Sequence, residues 1–505
     1  MSRFRIFLVL LIVAALLLPA MVTGCGQSQA QQQYDKAKAL QEQKQFTKAA
    51  AAYRAAMPLL RKEGLNKLAI DSQMAIQQMD LFKFTYPDLA ADVKKKLAEA
   101  YPQVSQSERE KWLASGEMEH VTWDGKVHYF NQAVENIATR HFEVSYLNKQ
   151  KNATIGEFAT GFITNVIAKK PATAWQQYSN PYTYLGTEAI SVPRAELPKT
   201  GTFKMWFPLP VIMGPQDSVS VISITPGTYV KQPPSTSGDI SLAYMEVPLE
   251  QLTGDLNVSV QFQFTHYQEN FQVDTGNVGT YDKTSTLYKL YTRSYGNTYI
   301  SEDIRQTALK VAGSEKNPYL QAKKLYEYII KNIKYSFMPH ATMWPRGERE
   351  SVYVHRMKRG DCGAQSMYFS AMCRSLGIPA RTTGGWQLLL GEFAGHFWAE
   401  FFLPNYGWIP VDPTAADMSD WTNAITEQQR QEYKQFFFAN QDPMRCNVQL
   451  DVDEPLIPPA TEEIYLPLAV QNPVATCSTM TNILPSAMLM QHYTLHAQLI
   501  SGGTK

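Results

Sequence analysis

Lys358-Arg359-Gly360-Asp361-Cys362-Gly363, Gly395-His396-Phe397-Trp398-Ala399-Glu400 and Gly407-Trp408-Ile409-Pro410-Val411-Asp412-Pro413-Thr414 follow one another within about sixty positions. They carry a thiol, an imidazole and a carboxylate, in that order. A thiol needs a base to become a thiolate, and the base needs a third group to fix its tautomer. Behind Cys362, the residues Ala364, Met367, Tyr368, Ala371, Met372 and Leu376 repeat at helical spacing until Gly377. Cys362 is therefore predicted at the first turn of a buried helix with Asp361 as its N-cap. Free N–H groups at a helix start favour a thiolate and lower its pKa, whereas the Asp361 charge competes for the same donors. His396 is then needed as the counter-cation.

Gly395–Phe402 and Trp408–Val411 read as two strands around the turn Leu403-Pro404-Asn405-Tyr406-Gly407. A hairpin centred on Pro404 makes His396 and Asp412 direct cross-strand partners, each eight positions away. Opposed residues share a face with Cβ atoms about 5 Å apart, close enough for a carboxylate–imidazole hydrogen bond. A one-residue bulge would spoil that register. Each of the three residues has an ordinary structural reading when taken alone; the compatible triple is what points to chemistry.

The four runs Arg359–Gly363, Arg374-Ser375-Leu376-Gly377-Ile378-Pro379-Ala380-Arg381, His396–Phe401 and Gly407–Thr414 together resemble the transglutaminase-like (papain-like) core, in order over roughly 300–415. The preceding Met205-Trp206-Phe207-Pro208-Leu209-Pro210 is similar to the β domain that stands before this core in bacterial members. The resemblance implies Cys362 as nucleophile, His396 as general base and acid, and Asp412 as orienting carboxylate. It also implies an oxyanion hole made of the nucleophile's own N–H and a second donor, for which Trp344 and Tyr335 are candidates. Cys373 has no counterpart in the motif and reads as core. Lys358 and Arg359 read as a solvated loop, or else as charges that help hold the thiolate, and Trp386, Trp398 and Trp408 chiefly as core, or else as walls of the cleft. Fold alone does not fix the reaction. The expected function is cysteine-dependent acyl-enzyme chemistry on protein or peptide amides, with hydrolysis (peptidase or amidase) favoured. Acyl transfer from glutamine to amines is the alternative, and a non-catalytic envelope scaffold a second.

The N-terminus bears on location. Arg3 and Arg5 precede the unbroken apolar run Ile6–Leu18, and Val22-Thr23-Gly24-Cys25 resembles a bacterial lipobox. This reads as a lipoprotein signal peptide over 1–24, with Cys25 acylated and the chain exported to a bacterial cell envelope, inner or outer membrane undecided. Losing Arg3 and Arg5 with the leader leaves 45 basic side chains against 46 acidic ones. Such a balance offers no field to steer nucleic acid, and that class is set aside.

The 505 residues predict several domains in an α+β arrangement. Residues 25–110 read as a tether and a helical, tetratricopeptide-like segment. Phe46, Ala49, Ala50, Tyr53, Ala56, Met57 and Leu60 form its clearest apolar stripe, which reads either as part of an array that binds a protein partner or as a helical hairpin packed on the rest or propping it off the membrane. Residues 111–290 read as mixed and then β-rich and sandwich-like, with strands at Phe203–Phe207, Val219–Ile224 and Leu256–Phe264. The catalytic core is placed at 291–440, and 441–505 as a segment packed on it. An exported chain meets oxidising conditions, so a Cys446–Cys477 bridge is expected. No CxxC pair, HExxH helix or EF-hand-like loop is present, and neither metal nor cofactor is expected.

Overall fold

A computed structural model of the chain describes residues 27–169, 176–343, 347–388, 393–460, 470–480 and 484–502. The segment read as a signal peptide, Cys25 and Trp344 lie outside these residues. The chain is a multidomain α+β protein divided into two compact units at Ile76/Gln77.

In the first unit, the helices Gln29–Glu42 and Phe46–Lys62 pair side by side, and a third begins at Asn66. Every member of the stripe Phe46, Ala49, Ala50, Tyr53, Ala56, Met57 and Leu60 is buried. Gly64, at φ +75°, makes the turn that a side chain would strain. Ala30, Ala56, Leu60 and Ala69 form a shared core.

The second unit begins at Gln77 and so takes up the rest of the segment read as 25–110. Tyr86, Val93, Leu97, Trp112, Phe130 and Ile137 bury one another in a small helical core. Its hairpin turns at Asp124-Gly125, both at positive φ, the turn that two-residue hairpins prefer. This core is held to the catalytic region by polar pairs, since Asn136 exchanges two hydrogen bonds with the Phe337 backbone and Arg359 meets Glu119 at 3.1 Å.

A five-stranded and a three-stranded antiparallel sheet form the predicted sandwich. The first centres on Tyr178–Val192 and Leu256–Asn270, the second on Thr202–Pro208 and Leu242–Pro248. Their inner faces contribute Tyr184, Val192, Phe203, Met205, Phe207, Met245, Val258, Val260, Phe262 and Phe264 to one core. Simple alternation fails in Gln216–Thr225, where register shifts at 217/220 and 221/223 break the pleat. Ile222 is consequently exposed, while Val221 and Ile224 pack inward.

The catalytic region is a four-stranded antiparallel sheet in the order Gly407–Val411, Ala394–Leu403, Ala380–Gln387, Arg445–Gln449. The helix Cys362–Ser375 packs against its central strands and is buried from Gly363 to Arg374. Trp386, Leu388, Cys446 and Val448 extend from this sheet into the sandwich core, so the two regions share one interior. The segment after 440 is threaded through all three sheets, supplying Arg445–Gln449, Val474–Thr476 and Tyr493–Ser501 in turn. The expected Cys446–Cys477 bridge is not formed: both are buried free thiols, Cys446 within Arg445–Gln449 and Cys477 directly after Val474–Thr476, strands belonging to different sheets. Cys446 lies against the Asn447 carbonyl and Cys477 against the Thr479 hydroxyl.

Candidate active site

The helix carrying Cys362 starts where its sequence says. Asp361 is the N-cap, accepting from the Ala364 amide at 3.1 Å, and Gly377 at φ +78° closes the far end. Cys362 itself is partly buried, next to the backbone amides of Phe397 and Gly363. Burial pushes its thiol well above the usual range, and the Asp361 charge adds to this; the two amides pull only partly the other way. The amides at the helix start thus offset only part of what burial and Asp361 impose, so the shift runs opposite to the lowering expected from the helix start, and the need for His396 read from the sequence stands.

His396 lies in the strand Ala394–Leu403 and donates through Nε2 to Asp412 Oδ2 at 2.7 Å. That leaves Nδ1 as the nitrogen available to a thiol. Asp412 ends the neighbouring strand and caps the short helix Pro413–Asp417, where its Oδ1 accepts from the Ala415 amide at 2.9 Å. Burial would raise the Asp412 carboxyl, but the charges of His396 and Arg445 override it and hold the group well below the usual carboxylate range.

The hydrogen bond was predicted, but through a different register. The ladder pairs Ala399 with Val411 and Leu403 with Gly407, so the turn centres on Asn405, at φ +73°. Asp412 is therefore diagonal to His396 across the hairpin rather than opposite it. Diagonal neighbours are within reach of long side chains, which preserves the contact. Behind His396, a Cβ on Gly384 (φ +148°) would sit 2.5 Å from the His396 carbonyl oxygen, so glycine is what lets the two strands close there.

Several motif residues are structural. Arg381 meets Glu400 at 2.6 Å, stacks over Trp408 at 4.0 Å and so ties three of the motifs together in a buried cluster. Arg374 pairs with Asp451 at 2.7 Å. Cys373, Trp386 and Trp398 are core, as read from the sequence. Arg359 is engaged with Glu119 instead of the thiol.

Tyr335 is positioned by a short parallel pairing of Lys334-Tyr335 with Arg359-Gly360. Its phenol is pushed well above the usual range by burial first, then by the nearby charges of Cys362, Asp361 and Asp412. It remains a protonated hydroxyl beside the nucleophile.

Two site residues were not read from the sequence. His340 binds Glu350 through Nδ1 at 2.8 Å and Asp361 through Nε2. Burial opposes its charge, yet Asp361 and Glu350 push it well above the ordinary imidazole range, so the carboxylate beside Cys362 carries its own cation. Arg445 donates through Nη1 to Asp412 Oδ2 at 2.6 Å. No local pattern marks either residue. Among the described residues no group of three or more candidate ligands could hold a metal ion.

Residues 305–413 match the model of the transglutaminase-like superfamily, so the chain carries a transglutaminase-like core domain. An uncharacterized protein of Haemophilus influenzae is 26% identical over 157 residues, covering 26% of this chain and 42% of that protein. A protein-glutamine gamma-glutamyltransferase of Pseudomonas aeruginosa is 29% identical over 105 residues, covering 19% of this chain and 15% of the relative. The chain thus spans less than half the length of these curated relatives. Among solved structures, a candidate cysteine protease of Cytophaga hutchinsonii aligns over 65% of this chain and 94% of its own, at 13% identity and a TM-score of 0.40.

Proposed function

We propose that the chain is a thiol hydrolase of the bacterial cell envelope acting on protein or peptide amides. The observation that carries this is the buried His396–Asp412 hydrogen bond beside Cys362 at a helix start. His396 takes the Cys362 proton as the sulfur attacks the amide carbonyl carbon. The tetrahedral intermediate collapses with cleavage of the C–N bond, and His396 returns the proton to the leaving amine. Water, deprotonated by His396, then attacks the thioester, releasing the acid and restoring the thiol. Cys362 is partly exposed, so a thioester there meets water, whereas transfer to an amine requires water to be excluded.

Acyl transfer is the second reading, favoured by the similarity to the Pseudomonas protein-glutamine gamma-glutamyltransferase. A peptide library incubated with a labelled primary amine separates the two. New free termini, absent in Cys362→Ala, are expected; amine incorporation without cleavage would overturn hydrolysis. The leader sequence supports export, with a lipid on Cys25 as the membrane attachment. Palmitate labelling of the full chain that persists in Cys25→Ser would remove that part of the reading. No described helix is long and apolar enough to cross a membrane.

Tyr335 is the second oxyanion donor in this reading, alongside the Cys362 amide. Tyr335→Phe is expected to slow turnover roughly 100-fold, as about 3 kcal/mol of transition-state stabilisation is lost. Cys362 alkylation should be little changed, since alkylation builds no oxyanion. Equal loss of both would assign Tyr335 to holding the thiol instead.

A further inference from the structure

Arg445 lies 33 positions beyond Asp412 and outside the matched segment 305–413, yet it is fully buried against the triad carboxylate. Its three donors divide between two acids. Nη1 reaches Asp412 Oδ2 at 2.6 Å, while Nε and Nη2 reach Asp442 Oδ2 at 2.9 and 2.8 Å. The guanidinium also lies 4.8 Å from the ring centre of Trp398, two residues along from His396. Glu269 and His266 of the sandwich sheet and Tyr433 of the helix Glu427–Phe436 face it as well.

The same oxygen of Asp412 thus serves two donors, Arg445 and His396. Charge given to one is withheld from the other. A carboxylate serving His396 alone would favour the imidazolium, which surrenders its proton reluctantly to a leaving amine. We propose that Arg445 is a positioning residue that shares the charge of Asp412, leaving His396 able both to take the Cys362 proton and to give it back. This rests on the thiol chemistry proposed above.

The test follows carboxamidomethylation of Cys362 by iodoacetamide against pH in the full chain, read by mass spectrometry of the Cys362 peptide. Arg445→Met combined with Asp442→Asn removes one positive and one negative charge, and the Ala415 amide still holds Asp412 in place. The acid limb of the profile is expected to move to higher pH by about one unit, a roughly tenfold loss of alkylation on that limb, because the unshared Asp412 charge holds the His396 proton longer and pushes the thiol up. Asp442→Asn alone leaves Arg445 only Asp412 to neutralise, and the limb is expected to move the other way. A purely structural role gives no pair of opposite shifts.

Unmoved limbs, or shifts of the same sign, would overturn the proposal. If the double variant does not fold, Asp442→Asn decides alone, and an unmoved limb there overturns it. A wild-type profile with no limb dependent on His396 would instead remove the thiol reading, and the role of Arg445 would fall with it.

Discussion

Replacing His396 with alanine is expected to slow turnover by about four orders of magnitude or more, and to leave Cys362 a largely unreactive thiol at neutral pH. The electrostatics of the nucleophile give the reason. Burial pushes the Cys362 thiol up, Asp361 and Asp412 push it further, and only the amides of Phe397 and Gly363 favour the thiolate. His340 offsets Asp361 but is already committed to it and to Glu350. The imidazole of His396 is the remaining group that can accept the proton and then balance the charge. Alkylation of Cys362 at pH 7, with circular dichroism to confirm the fold, measures this without a known substrate. Equal alkylation rates in wild type and variant would mean that the helix terminus alone makes the thiolate, and His396 would lose its role as base.

The parts of this site that were legible in the sequence are those set by local rules. Asp361 followed by an apolar helix pattern fixes a capped helix start, and two β-suited runs around a short turn fix a hairpin. Together they bring Cys362, His396 and Asp412 into one place. The register was misjudged by one turn position, because Asn405 rather than Pro404 takes the left-handed conformation at the centre of the loop. The contact survived since a diagonal pair is nearly as close as a direct one.

Residues whose roles depend on distant chain crossings were not legible. Arg445 reaches Asp412 only because the strand Arg445–Gln449 joins the edge of the sheet after the helices Pro413–Asp417 and Glu427–Phe436 and the short strand Asn440–Gln441 have intervened. His340 meets Asp361 from the start of the short helix His340–Met343, 21 positions upstream. The Cys446–Cys477 expectation failed for a related reason. Compartment chemistry says that bridges form, but which thiols face each other is decided by sheet order: Cys446 lies in Arg445–Gln449, and Cys477 follows Val474–Thr476 of another sheet.

Asp412→Asn tests the other end of the triad and has two separable consequences. An amide keeps the shape of the carboxylate and can still cap the helix at Ala415 through its oxygen. It carries no charge for His396, however, and its NH2 group can face the imidazole, favouring the tautomer with hydrogen on Nδ1. That is the wrong nitrogen for receiving the Cys362 proton, and turnover is expected to fall about 10^4-fold. Stability should fall too, because Asp412 is buried between His396 and Arg445. Breaking a buried ion pair costs on the order of 3–5 kcal/mol, and Asp442 keeps Arg445 partly compensated, so the low end is expected. The pH dependence identifies the source of the loss. The folded Asp412 carboxyl is held far below its unfolded value of about 3.9, so its stabilising contribution is complete above that value and fades as pH falls beneath it. Chemical denaturation of wild type and Asp412→Asn should therefore show a difference that is constant above about pH 5 and narrows as pH drops through 4 and below. A gap of unchanged size down to pH 2 would mean that the lost stability comes from packing and capping, and that the ion pairs of Asp412 serve the chemistry without holding the fold.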